Sequence, residues 1–296
     1  MRTRGRTAGL AGIMLLMASC GGEQSAQDAL NADQAVDSTS AARLQRTKAI
    51  FHNIPSPMET AALLRKAGAQ YDRSILNDPE RNSSYTAASK QALNLGIYGA
   101  DLSYASVNNN THESMLYTAA AQNLAKRLNV SSVFDQATVD RMEANRNDRD
   151  SLLNIISETY WNVDAYLKEN RRENISALMI VGGWVEGLYI ATQVCRTNDT
   201  PELRQRIAEQ KLPLGDLIAL VDTYSATDTT VSSVLADIRQ LETVFAGVNV
   251  GGGPTTVSNE GGVAVIGGGA PAATLTDDQL KAITERAATL RNTYIN

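Results

Sequence analysis

The stretch Ile175 to Cys195 (ISALMIVGGWVEGLYIATQVC) constrains this chain more than any other, because it is apolar on nearly every side at helical period. A helix from about Asn174 to Arg196 would offer water no face, so it must be the centre of a bundle or cross a membrane. Three features favour the centre. Glu186 sits mid-run, where a lipid-exposed carboxylate would be costly; Gly182, Gly183 and Gly187 interrupt the stretch; and a lipid anchor expected elsewhere in the chain removes the need for a span.

The rest of the chain supplies helices to surround it. Ser56, Pro57 and Glu59 form a capping box that starts a helix reaching about Gln70. A second helix, from Ser84 to about Asn108, carries Ala88, Ala92, Leu95, Gly99, Leu102 and Ser106 on one face, small enough for a neighbour to approach closely. Asn110 and Glu113 start a third, with Leu116, Ala120, Leu124 and Leu128 as its stripe. A short helix follows from Gln136 to Asn145, then a fifth marked by Leu152, Ile155, Ile156, Thr159, Val163 and Leu167. Beyond the central run, Thr200-Pro201, Pro213 and Asp228 each open a helix, and Thr276 with Gln279 caps the last one. Between Gly247 and Gly269 two short β-branched runs stand among glycines, which predicts a small hairpin or ordered loop. The expected fold is therefore all-α: one multi-helix bundle of about eight helices around the apolar one, with a glycine-rich hairpin before the last helix.

The first twenty residues are an address. Arg2, Arg4 and Arg6 precede the apolar run Leu10 to Met17, and Ala18-Ser19-Cys20 closes it with small residues and a cysteine, the order of a bacterial lipoprotein signal. Residues 1–19 are read as signal peptide. Cys20 then becomes the acylated first residue, with anchoring by buried methylenes at ~0.8 kcal/mol each. Residues 20–45 are rich in Gln, Asp, Ser and Ala and read as a tether, leaving 46–296 as the helical domain. With 27 Lys plus Arg against 32 Asp plus Glu, the chain is acidic, and loss of the signal's arginines makes it more so. Nucleic acid is thereby a poor partner.

Few residues could carry chemistry. The two cysteines are Cys20 and Cys195, and the histidines are His52 and His112. A lipidated Cys20 leaves Cys195 without a disulfide partner and best read as a small buried hydrophobe. Asn109, not a glutamate, stands three residues before His112, which removes a Glu-x-x-His di-iron site. No Gly-x-Ser-x-Gly elbow occurs. Gly251-Gly252-Gly253 and Gly267-Gly268-Gly269 lack the lysine and the strand–helix context of a phosphate loop. No catalytic motif, metal site or cofactor is expected.

Two places remain as contact sites. Glu186 shares a helix face with Gly182, Gly183 and Tyr189, so it either hydrogen-bonds a Tyr, Asn or Arg of an adjoining helix or meets a ligand in a pocket lined by Trp184 and Tyr189. Asp101 lies with Asn94, Tyr98, Tyr104 and Asn108 opposite the small-residue stripe. That face reads as solvated surface, with Asp101 and Tyr104 suited to sugar or peptide contact.

The segments FHNIPSPMETAALLRKAGAQYD, ALNLGIYGADLSYA and ALMIVGGWVEGLYIATQ resemble a family of uncharacterised lipoproteins from Bacteroidota. The resemblance runs from about Ile50 to the last helix. It implies the envelope of a Gram-negative cell and brings no activity and no site residue with it. The expectation is a membrane-anchored envelope lipoprotein that binds a protein partner or supports an assembly in the periplasm; the alternative is a periplasmic small-ligand binder or sensor using the region of Glu186.

Overall fold

The computed structural model describes residues 57–66, 70–251, 257–260, 263–266 and 273–296. The chain divides into two units, Met1–Arg46 and Thr47–Asn296, and the described residues belong to the second. Readings that fall on Cys20, the tether, His52 and the Ser56 cap lie outside them. Ten α-helices run through the described residues: α1 (Pro57–Lys66), α2 (Ala88–Val107), α3 (Thr111–Arg127), α4 (Gln136–Ala144), α5 (Arg149–Glu169), α6 (Glu173–Thr197), α7 (Pro201–Glu209), α8 (Lys211–Ser225), α9 (Thr229–Phe245) and α10 (Asp277–Ile295). Between α9 and α10, strands β1 (Val257–Glu260) and β2 (Val263–Ile266) pair antiparallel, with Val257 opposite Ile266.

Six of the helices start where a side chain satisfies their free N–H groups, and the helices after Ala87, Arg172 and Gln210 start without one. Asn110 accepts from the Glu113 N–H, Thr200 from Leu203 at 3.2 Å, and Asp228 from Thr230 at 2.8 Å. At α10 the box is reciprocal: the Gln279 N–H reaches the Thr276 hydroxyl at 3.2 Å, and the Thr276 N–H reaches the Gln279 side chain at 3.0 Å. Left-handed residues close α2, α3 and α5. Asn109, Asn129 and Arg171 have φ of 58, 56 and 56°. The N–H after each returns to a carbonyl five residues back, as Asn110 does to Ala105 at 2.9 Å.

The apolar helix is the hub. All other helices except α3 and α4 pack closely against α6, and it is buried along nearly its whole length. It is long and apolar enough to cross a membrane, but 89% of its most apolar window is covered by the protein itself. Its tightest neighbour is α2, and the two touch through backbone. A Cβ at Gly96 would lie 2.0 Å from the Met179 carbonyl oxygen, and one at Gly182 would lie 1.9 Å from that of Leu93. Only glycine fits either position.

Four expectations need correction. The second helix begins at Ala88, not Ser84, because Asp78 caps a separate 3-10 turn, Pro79–Ser84, and Tyr85 stays extended to bury its ring. The close approach on α2 uses Gly96, outside the expected stripe; a Cβ on Gly99 would instead meet the Tyr160 ring of α5 at 3.6 Å. On α3, Leu116 is 36% exposed, and Tyr117 turns inward with Ala120, Leu124 and Leu128. The bundle also exceeds eight helices, since even α4 and α7, nine residues each, dock through Met142 and through Leu203 and Ile207.

Candidate functional site: a buried carboxyl pair beside a groove

Packing α2 onto α6 brings two acids into one place. Asp101 projects from α2 and Glu186 from α6, and both are wholly buried. The counter-charge comes from α10. Arg291 donates its Nε to Glu186 Oε2 at 3.0 Å and its Nη2 to Oε1 at 3.2 Å, a two-pronged pair of the kind a guanidinium makes best. Its Nη2 also reaches the Ile75 carbonyl at 3.4 Å.

One guanidinium balances one carboxylate, so the other acid must hold a proton. Asp101 holds it. Burial raises its pKa well above the usual carboxylate range; the charge of Glu186 and a hydrogen bond to it add to the rise, against Arg291 and the Asn77 N–H. Burial also raises Glu186, while Arg291 and the hydrogen bond from Asp101 pull it back. Burial lowers Arg291, yet the charge and hydrogen bonds of Glu186 prevail and its pKa is raised, so it stays a cation. The Asp101 hydroxyl thus donates to Glu186, Asp101 Oδ2 accepts the Asn77 N–H at 3.3 Å, and the cluster is neutral overall.

The face of α2 that bears Asp101 is not a solvated surface. Asn94, Tyr98, Asp101 and Tyr104 are all buried beneath the segment that links α1 to α2. Tyr104 donates to the Gln70 carbonyl at 2.8 Å and Tyr98 to that of Asp78 at 2.8 Å. Tyr117 of α3 donates to the Asn77 carbonyl at 2.9 Å. The partners of these groups are carbonyls of the chain itself, which the spacing along α2 alone could not reveal.

The remaining candidates separate. Trp184 is buried in the core, and its Nε1 has no hydrogen-bond partner. Tyr189 is half-buried and holds the Arg291 guanidinium 4.7 Å from its ring centroid. Cys195 is a free, buried thiol pushed up to about 11 by burial and then by Asp199, so it is a poor nucleophile near neutrality. His112 is exposed on α3. Among the described residues no group of three His, Cys, Asp or Glu could hold a metal ion.

A groove of about 620 Å³ opens on the far side of Tyr189, between α6, α7 and α10. Tyr189, Gln193 and Arg196 form the α6 wall; Leu280, Thr284 and Ala288 form an inner row on α10; and Asp277, Lys281 and Glu285 form an outer row. Arg204 closes one end, tied to Asp199 at 2.6 Å and to Asp277 at 2.7 Å. Glu186 does not line this space.

Arg291 is the site residue that the sequence reading missed. Its signal was present: it follows Leu290 and falls four residues after Ala287, inside the inward row of Ile283, Ala287, Leu290 and Tyr294. An arginine on an apolar stripe calls for a buried acid. Neither a scan against protein-family models nor searches of curated proteins and solved structures return a match to this chain.

Proposed function

We propose that this chain is a lipid-anchored envelope protein of a Gram-negative cell, held through Cys20, whose helical domain binds a protein partner or supports an assembly in the periplasm. The observation that carries the reading is the order of basic, apolar and small residues ending at Cys20. The resemblance to lipoproteins of Bacteroidota points the same way. Gly21 is not the aspartate that retains such proteins in the inner membrane of enteric bacteria, and by analogy this favours the outer membrane facing the periplasm. Within the domain, the acids best suited to chemistry are spent on one another and on Arg291. That arrangement serves a binding role better than a catalytic one. The test is metabolic labelling with a palmitate analogue in the native host: Cys20→Ala should abolish labelling and signal cleavage together, and unchanged labelling of that variant would reject the anchor.

A second reading, a small-ligand binder or sensor, is favoured by the groove beside Tyr189. Its pocket is displaced from Glu186 to the outer side of the tyrosine.

A further inference from the structure

Charges around the groove are unevenly paired. Arg204 and Asp277 neutralise each other, and Asp199 completes the Arg204 fork. Lys281 has no ion-pair partner among the described residues, and Arg196 bonds only the neutral Gln193 side chain, at 2.9 Å. Against these two uncommitted cations stands one uncommitted carboxylate, Glu285. Counted with Asp199, three cations and three carboxylates stand around the groove, but Arg196 and Lys281 are left without a paired acid, on a protein whose sequence is acidic overall. Leu280, Ala288 and the Tyr189 ring supply an apolar floor. Tyr189 is held in place, because Arg291 lies against its ring and Glu186 fixes Arg291. A floor held rigid before binding saves the ordering cost that weakens most small sites.

We propose that this groove is a binding site for a small organic monoanion, a carboxylate with an aromatic or short aliphatic body. The carboxylate bonds Arg196 and Lys281, and the apolar body lies on Tyr189, Leu280 and Ala288. The volume falls in the range of about 300–1,000 Å³ usual for small-molecule sites. With Asp199, Asp277 and Glu285 already at the groove, two cations without a paired acid suit a monoanion better than a phosphate dianion. Glu186 is then a positioning residue, acting on the ligand through Arg291 and Tyr189. This inference rests on the second reading above and is independent of lipidation at Cys20, so a failed labelling experiment leaves it standing.

The probe is 3-phenylpropanoate, compared with its neutral amide by ligand-observed saturation-transfer NMR on the full-length protein in detergent. The acid should bind saturably and roughly tenfold more tightly than the amide, the worth of a charge-assisted hydrogen bond. Lys281→Gln and Arg196→Gln, both at exposed positions, should each weaken the acid by roughly that factor while leaving the amide unchanged. Ala288→Trp, which fills the groove, should abolish both signals. Absence of saturable binding by the acid, equal binding of acid and amide, or full binding in Ala288→Trp would overturn the proposal.

Discussion

At Asp101 a single proton decides whether two acids can share the core. An unfolded aspartate titrates near ~3.9, whereas folded Asp101 keeps its proton well above that. Below the unfolded value both states are protonated and the site contributes fully to stability. As the pH rises towards the folded value only the unfolded chain releases the proton, and stability falls. Asparagine keeps an N–H donor for Glu186 and has no proton to lose. Asp101→Asn should therefore lessen the fall of urea-unfolding free energy between about pH 4 and 7, leaving the part owed to Glu186, whose carboxyl burial also raises, and be at least as stable as the parent at pH 7. A loss of ~3 kcal/mol or more in this variant would show that the carboxyl enters the cluster as an anion. The sequence exposed half of this arrangement. Glu186 drew attention by being the one acid in an apolar helix, but Asp101 sits among tyrosines and amides that read equally well as surface, and the segment that buries them has no periodic signal.

Among the elements, the crossing of α2 and α6 sets the geometry of everything around it, and it makes three glycines unequal. At Gly96 and Gly182 an added methyl would collide with carbonyl oxygens that cannot rotate away, so alanine at either position should cost ~3 kcal/mol or more, at the upper end of what overpacking costs. At Gly99 the same methyl would meet the Tyr160 ring at an ordinary contact distance, in mid-helix. Gly99→Ala should stabilise by ~1 kcal/mol through helix propensity. Urea midpoints of the three variants check this, and a Gly99→Ala midpoint as low as that of Gly96→Ala would refute the assigned crossing. Helix periods showed α6 buried all round and gave α2 one packing face. They could not show which of several small residues touched which neighbour, because α2 is covered on both sides: Gly99 of its stripe faces Tyr160 of α5 and Ser106 meets Ser114 of α3, while Gly96 packs on α6.

For the molecule as a whole, cohesion comes from packing. Cys195 is free and buried, and Cys20 is the only other cysteine. The full-length protein should therefore unfold at the same temperature with and without reductant, as read by circular dichroism. A midpoint that falls on adding reductant would mean that a cross-link holds the fold. The all-helical class was legible because nearly every segment from Pro57 onward repeats its apolar residues at helical period, and many announce their start with a cap. The groove was not, because its walls join Tyr189 to Lys281 across residues far apart in sequence, and of its lining only Tyr189 drew notice in its own helix.

Arg291 follows Glu186 by 105 residues, and this fixes an order of events for a chain made from its amino end. The seam between α2 and α6 is synthesised complete, glycines and all, while the charge that makes it tolerable is still untranslated. Until α10 arrives, sealing that seam would strand a carboxylate in oil, so nascent helices have reason to stay loosely associated and wet. Arrival of the guanidinium then works as a countersignature: the hub closes around an ion pair only once Arg291 has been made, and a product cut short before it must bury Glu186 protonated or leave the seam open.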